Sequence, residues 1–144
     1  MTTEEFLSHI KSRAAILAAP INPNQIALTN TSLQQRRRAM LPVFMSELYT
    51  KTGGIILGSG CIFGPKEIPQ GLRFPIPSII QVNDDISNLP QTIGKTIFGR
   101  NDLFWFAFDA FGVCYMLDNL SLSPLRKYDD PYCSLIDCLV AGKI

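Results

Sequence analysis

The alternation of apolar and polar positions between residues 41 and 64 predicts a helix that runs into a β-hairpin. Its first apolar residues have the i, i+3, i+4, i+7 spacing of one helix face: Leu41, Phe44, Met45 and Leu48. The glycine pair at residues 53–54 ends this helix, because glycine adopts the left-handed conformation of a helix terminus without a Cβ clash. Two short apolar runs, at residues 55–57 and 61–63, then flank a Gly-Ser-Gly sequence and predict a tight hairpin.

Two further helices are predicted before this segment. Thr3 caps the first, whose apolar face consists of Phe6, Ile10, Ala14 and Leu17. Residues 19–30 contain two prolines and are interpreted as a connector. The second helix begins near Thr31 or Ser32, because each is followed three residues later by a glutamine, as in a capping box. We expect it to form one bent unit with the helix that follows.

The second half of the chain is predicted to be a β-meander closed by a helix. The best strand candidates, residues 96–98, 103–108 and 113–117, are separated by short turn sequences and should therefore pair in antiparallel order. An apolar run at residues 79–82 is interpreted as an additional short strand. A last helix begins at Asp130 and Pro131 and is expected to end at Gly142.

These elements predict an α+β fold, an antiparallel β-sheet meander with N-terminal helices and a C-terminal helix packed on one face. The length of 144 residues suits one domain, spanning residues 1–144. A hydrophobic content of 47% with 17% charged residues fits a compact globule and argues against a disordered chain. No apolar run approaches the ~20 residues that cross a bilayer, and Glu4 and Glu5 stand where an export signal would carry basic residues. We therefore expect a soluble cytoplasmic protein with no membrane partner.

The order of these pieces resembles the SUKH superfamily, the Smi/Knr-type domain, over residues 31–142. The similarity is carried by LPVFMSELYTKTGGIILGSGCIFGP (41–65), IPSIIQVNDDI (76–86), TIFGRNDLFWFAFDAFGVCYML (96–117) and YCSLIDCLVAG (132–142). The resemblance implies a non-catalytic module. Bacterial members of the family are immunity proteins that bind and neutralise a cognate polymorphic toxin, often a nuclease, whereas fungal members regulate cell-wall synthesis and signalling. The chain has nothing like the long flexible extensions of the fungal regulators, so the bacterial role is the expected one.

Candidate catalytic and metal-binding residues are few. The four cysteines, Cys61, Cys114, Cys133 and Cys138, form no CxxC pair and are interpreted as reduced structural thiols. A zinc site that combined them with His9 would lack the paired ligand spacing. His9 is the single histidine and lies opposite the apolar stripe of the first helix, so no Ser-His-Asp or Cys-His pair is available. We predict no enzyme activity, no cofactor and no metal.

Neither the glycines nor the arginines predict nucleotide or nucleic-acid binding. The glycine spacing in residues 53–64 fits neither the dinucleotide fingerprint nor the Walker pattern, and a hairpin explains it. Arg36, Arg37 and Arg38 are adjacent and would splay around a helix, without interleaved aromatic residues. They are interpreted as a solvated helix surface, and no direct nucleic-acid partner is expected.

Carboxylates at the strand ends leave a second function open. Asp102, Asp109 and Asp118 lie at or near these ends, where aspartate commonly bonds the local backbone of a turn. Turn chemistry is the favoured interpretation. The alternative is a small hydrolase or ligand-binding domain that uses Asp102, Asp109 and Arg100 in a pocket beside the sheet.

The partner surface is predicted from charge and from one tryptophan. Residues 1–82 carry eight Lys or Arg against four Glu, whereas residues 83–144 carry five against eight Asp. On an alternating strand, Phe104, Phe106 and Phe108 share the core face and Trp105 lies on the other, where it is either an exposed anchor or buried under the proline-rich segment. An acidic surface can mimic the substrate of a nuclease toxin and accelerate association. The predicted contact residues are Asp84, Asp85, Asp102 and Asp109, with Arg100 for orientation and Trp105 as the apolar anchor.

Overall fold

The computed structural model describes residues 1–86 and 89–140 and confirms the predicted α+β class. Its elements are helices α1 (Thr3–Lys11), α2 (Pro23–Gln35), α3 (Val43–Lys51), α4 (Ile79–Asp85) and α5 (Pro131–Leu139), and strands β1 (Ile16–Leu17), β2 (Ile55–Leu57), β3 (Gly60–Ile62), β4 (Ile68–Gln70), β5 (Arg73–Ile76), β6 (Lys95–Arg100), β7 (Phe104–Asp109), β8 (Cys114–Asp118) and β9 (Pro124–Tyr128). Seven strands form one antiparallel sheet in the order β1-β2-β3-β6-β7-β8-β9. Strands β4 and β5, from the proline-rich segment, form a separate hairpin.

One face of the sheet is covered by α5, which contacts β3 and β6 to β9, and by α1 and α3 beside it. An aromatic cluster fills this layer. The Phe98 ring stacks on Phe108 at a centroid distance of 5.8 Å, and the Phe44 ring of α3 meets Phe98 edge-on at 6.5 Å. Helix α5 approaches β3 so closely that a Cβ at Gly60 would lie 2.5 Å from the carbonyl oxygen of Cys138, so only glycine fits there.

The predicted helix, hairpin and meander are confirmed. Helix α3 buries Phe44, Met45, Leu48 and Tyr49. In the hairpin Leu57 pairs with Gly60, so Gly58 and Ser59 form a two-residue turn in which Gly58 has φ +59°. Strands β6, β7 and β8 pair in sequence as a meander, to which the structure adds β9. Asp130 caps α5 as predicted, whereas the expected helix end at Gly142 lies outside the described residues.

The predicted boundaries of the first two helices are wrong. Thr2, and not Thr3, is the N-cap of helix α1. The helix ends at Lys11, because the chain then reverses through Ala14 at φ +62° and residues 16–17 pair with β2. The supposed connector at residues 19–30 contains most of α2. Asn22 caps this helix and Pro23 occupies its first turn, a position where proline favours a helix start.

The predicted strand at residues 79–82 is a helix. Ser78 and Gln81 form a reciprocal capping box, in which the Ser78 N–H donates to Gln81 Oε1 (2.7 Å) and the Gln81 N–H donates to Ser78 Oγ (3.2 Å). A four-residue apolar run does not distinguish a buried strand from a helix, and the cap decides between them.

Asn83 in α4 takes the place of a strand beside β6. Strand β3 pairs with β6 only as far as Ile62 and Gly99, followed by one further bond from the Phe63 N–H to the Phe98 carbonyl. Beyond that point the buried Asn83 side chain accepts from the Ile97 N–H and donates to the Ile97 carbonyl, both at 2.9 Å. This single side chain therefore bonds both the N–H and the carbonyl of Ile97, which β3 leaves without a strand partner.

Within residues 1–86 and 89–140, none of the five helices has both the length and the apolar character that a membrane crossing requires.

Candidate functional site

The strand register places a polar and aromatic set of side chains on the sheet face opposite α5. We call this set the outer face; its members are Lys95, Arg100, Trp105, Asp109, Tyr115 and Lys127. The middle of the face is buried at Ile97, Ala107 and Leu117. Exposed side chains of the outer face therefore lie toward the two ends of the strands.

At one end, Trp105 is held by two neighbours. Arg100 is its register partner on β6, and the Arg100 guanidinium lies 5.5 Å from the centroid of the indole ring, in cation–π range. The indole N–H donates to Asn119 Oδ1 at 3.1 Å. Trp105 is partly exposed, and its contacts with Arg100 and Asn119 hold the ring, so it presents a fixed aromatic surface.

The turns beside Trp105 expose two leucines. The β6–β7 turn is built on the buried Asn101, whose Oδ1 accepts the N–H groups of Leu103 and Phe104 at 2.8 Å each. Its Nδ2 donates to the Cys138 carbonyl of α5 at 3.1 Å. Leu103, held in this turn, is 55% exposed.

The β8–β9 turn at the same end is built on Asp118. Its Oδ2 accepts the N–H groups of Ser121 (2.7 Å) and Leu120 (2.9 Å), and these hydrogen bonds lower the pKa of Asp118. Leu120 is 91% exposed. We call the exposed and partly exposed residues at this end the Trp105 patch: Arg100, Asp102, Leu103, Trp105, Asn119 and Leu120.

At the other end of β7, Asp109 is part of a turn. Its Oδ1 accepts the N–H groups of Phe111 (2.9 Å) and Val113 (3.1 Å), and its Oδ2 accepts from the Tyr115 hydroxyl at 3.0 Å. Lys95 lies over the Tyr115 ring, 5.4 Å from its centroid. The turn chemistry predicted for Asp109 and Asp118 is thus what the structure shows.

The six predicted contact residues occupy three places. Arg100, Asp102 and Trp105 come together in the Trp105 patch, and Asp109 lies at the opposite end of the same strand. Asp84 and Asp85 are exposed on α4, where Asp84 Oδ1 accepts from Arg36 Nε at 2.6 Å. The acidic residues therefore do not form one continuous surface, and the outer face itself carries Lys95, Arg100 and Lys127 against Asp109.

The two carboxylates of the alternative hydrolase are not brought together, although Arg100 and Asp102 both lie in the Trp105 patch. Asp102 and Asp109 are separated by the length of β7, roughly 20 Å at the rise of a strand, whereas paired catalytic carboxylates stand within about 10 Å of each other. In the described part of the chain no three His, Cys, Asp or Glu side chains are placed to hold a metal ion. All four cysteines are free, and burial raises the pKa of the thiols of Cys61, Cys114 and Cys138, which keeps them protonated and unreactive.

The prediction for the arginine run is wrong at Arg38. Helix α2 ends at Gln35, and Arg37 has φ +58°, so the chain turns away from the helix. Arg38 is 9% exposed, and its guanidinium donates to backbone carbonyls of Thr92 and Lys95. The interpretation assumed that the helix continues through all three arginines. Arg38 is buried because the backbone reverses at Arg37. A glycine usually marks such a reversal in a sequence, and this chain has an arginine there.

Comparison of the chain with models of known protein families finds no matching family, and comparison with curated proteins finds no similar sequence. The SUKH resemblance therefore stays a prediction, based on the order of the sequence segments.

Proposed function

We propose that this chain is a non-catalytic immunity protein of the SUKH type, which binds and neutralises a cognate protein toxin. The observation that carries the proposal is the Trp105 patch, a fixed indole ring with two exposed leucines beside it. Tryptophan and arginine dominate the binding energy of many interfaces, particularly where a surrounding ring of residues excludes water. An anchor that is already fixed loses little side-chain entropy on binding.

The acidic residues have a different role in this proposal. Asp102 lies within the Trp105 patch, whereas Asp84, Asp85 and Asp109 lie outside it. Charges at the margin of an interface mainly set the association rate and its salt dependence. We propose that these carboxylates steer a basic toxin, such as a nuclease, and that Arg100 and Trp105 hold it once it is bound.

The cytoplasm is the proposed location. Four free cysteines, three of them buried, suit a compartment that keeps thiols reduced. An immunity protein in this compartment protects the cell that produces or receives the toxin, without a cofactor and without contact with nucleic acid.

The test is the affinity for the toxin-like protein encoded beside this gene. Trp105→Ala should weaken binding by ~2–4 kcal/mol, the usual cost of truncating a central tryptophan. Phe111→Ala is the matched control, because Phe111 is an exposed aromatic residue in the turn at the opposite end of β7 and should not change the affinity. Circular dichroism establishes that each variant folds.

Steering is tested in the same assay at two salt concentrations. The double variant Asp84→Asn/Asp85→Asn should associate more slowly and lose salt sensitivity, with little change in dissociation rate. If the Trp105 and double variants all keep the parent's affinity and salt dependence, the Trp105 patch is not the toxin-binding surface. If the neighbouring protein does not bind the parent at all, the proposed immunity function is wrong.

A further inference from the structure

A cleft of about 430 Å³ opens where α2 ends and faces α4. Arg36, Arg37 and Arg38 line one side, and Asn83 and Asp84 of α4 line the other. We call it the arginine cleft. Its volume lies within the range of small-ligand sites. It carries three guanidinium groups against one carboxylate, so its net charge is strongly positive.

The Arg38 guanidinium at the base of this cleft forms no direct ion pair with any of the described residues. The Arg38 guanidinium donates to the Thr92 carbonyl (2.9 Å), Thr92 Oγ1 (3.2 Å), the Lys95 carbonyl (3.2 Å) and the Asn83 carbonyl (3.4 Å), all of them neutral acceptors. None of the ion pairs within residues 1–86 and 89–140 includes Arg38. Burial lowers the pKa of Arg38, and the nearby charge of Asp84 opposes that shift. The group is thus a buried cation that hydrogen bonds to neutral acceptors hold in position, with no direct ion-pair partner among the described residues.

Arg37 occupies a backbone position that normally belongs to glycine. The Arg38 N–H donates to the Leu33 carbonyl (2.9 Å) and the Arg37 N–H donates to the Gln34 carbonyl (3.0 Å), which is the Schellman ending of a helix. The residue at the turn of this motif is left-handed, and a side chain there is strained. Arginine at this position sacrifices stability and places a third guanidinium group in the cleft.

From these three observations we propose that the arginine cleft binds a small ligand through a phosphate group. Guanidinium groups present paired donors that match phosphate oxygens. Arg38 is already oriented by its carbonyl partners, Arg37 is exposed, and Arg36 shares its charge with Asp84. This proposal does not depend on the Trp105 patch, because none of the residues of that patch lines the cleft; Asp84 is the one lining residue that the toxin proposal also uses.

The decisive variant is Arg37→Gly, because its effects on folding and on binding have opposite signs. Glycine relieves the left-handed strain, so the melting temperature should rise. Loss of the guanidinium should weaken the binding of inorganic phosphate and of adenosine monophosphate by about tenfold or more, the value of one charge-assisted hydrogen bond. Ala14→Gly is the matched control. Ala14 is also left-handed, at φ +62°, and lies outside the cleft lining, so it should gain stability and keep the parent's phosphate affinity.

Calorimetry at constant ionic strength measures both ligands, with adenosine as the uncharged comparison. Tighter binding of the nucleotide than of phosphate identifies a phosphate monoester as the ligand, and equal binding identifies phosphate itself. Asp84→Asn removes the competing carboxylate and should strengthen binding of both. The proposal is overturned if the parent binds neither ligand at millimolar concentration, if adenosine binds as well as its monophosphate, or if Arg37→Gly binds phosphate as tightly as Ala14→Gly.

Discussion

The buried carboxylate of Asp137 gives a direct test of how α5 is fixed to β9. Its side chain is 1% exposed, and its Oδ2 accepts from the Tyr128 hydroxyl and, at 2.9 Å, from Arg126 Nη1. Within the described part of the chain, Oδ1 has no hydrogen-bond partner. Because a buried charge is costly when its partners are removed, the two donors to Oδ2 should be essential for stability.

Tyr128→Phe removes one of these donors and almost no apolar area. A hydrogen bond to a charged group contributes about 1.5–3 kcal/mol. The Arg126 side chain is 46% exposed, so water screens its charge and it compensates poorly for the lost hydroxyl. We expect the free energy of unfolding to fall by about 2–3 kcal/mol in Tyr128→Phe.

The assay is urea unfolding at neutral pH, followed by far-ultraviolet circular dichroism. Tyr132→Phe is the control, because its hydroxyl bonds the neutral hydroxyl of Thr3 and its loss should cost only about 1 kcal/mol. A loss in Tyr128→Phe no larger than in Tyr132→Phe would refute the idea that the Asp137 charge depends on this hydroxyl.

Two other perturbations test the buried polar groups of the fold. Asn83→Asp keeps the shape of the side chain but replaces its donor with an acceptor facing the carbonyls of Ile79 and Ile97, and should cost about 2–4 kcal/mol in urea unfolding; an unchanged midpoint would contradict the strand-like role of Asn83. Burial raises the pKa of Cys114 from 9.0 to about 12. The folded state therefore keeps the thiol proton to a higher pH than the unfolded state does. The thiol's contribution to stability is complete below the unfolded-state pKa and is lost as the pH rises through the folded-state pKa. The loss is at most ~1.4 kcal/mol per pH unit. Cys114→Ala should lose stability less steeply over that interval in unfolding curves recorded at successive pH values, and a slope parallel to the parent's would show that the thiol is not the source.

The sequence predicted the elements whose signals are local. Helix α3 has a clear apolar face and a glycine stop, and the β6–β8 meander alternates in hydrophobicity between short turns. Asp130 and Pro131 mark the start of α5. In each case the residues that decide the structure lie within a few positions of one another, so a pattern in the sequence is sufficient.

Edge strands were missed for a physical reason. Strand β1 has only two residues, and four of the five residues of β9 are exposed. Such strands form because a neighbouring strand offers them hydrogen bonds, not because of their own apolar pattern. Arg126 looks like a surface residue in the sequence, yet it points to α5, where it meets Asp137.

The sequence predicts only part of the Trp105 patch, because local patterns reveal some of its residues and an unmarked edge strand positions the others. The alternation of residues 104–108 placed Trp105 on the face opposite Phe106 and Phe108, as the register confirms. The contribution of Asn119 and Leu120 comes from the β8–β9 turn, which follows from pairing with a strand that the sequence does not mark. The four aspartates are grouped in the prediction because residues 83–144 carry a net negative charge. The structure places Asp84 and Asp85 together on α4, Asp102 in the Trp105 patch and Asp109 at the opposite end of β7.

Arg38 and Asn83 show where local inference fails most clearly, and they do so at one place in the fold. Strand β3 stops pairing with β6 at Ile62 and Gly99, so the β6 residues that precede Gly99 have no regular strand partner on that side. Asn83 bonds Ile97 there, and Arg38 bonds the carbonyls of Thr92, Lys95 and Asn83 itself. Buried backbone groups must find partners, and two polar side chains from distant segments supply them. A guanidinium group is well suited to several carbonyls at once because it has five donors and no acceptor. The burial of Arg38 thus follows from the backbone carbonyls that it bonds at the start of β6 and beside it, and the same hydrogen bonds orient the guanidinium at the base of the arginine cleft.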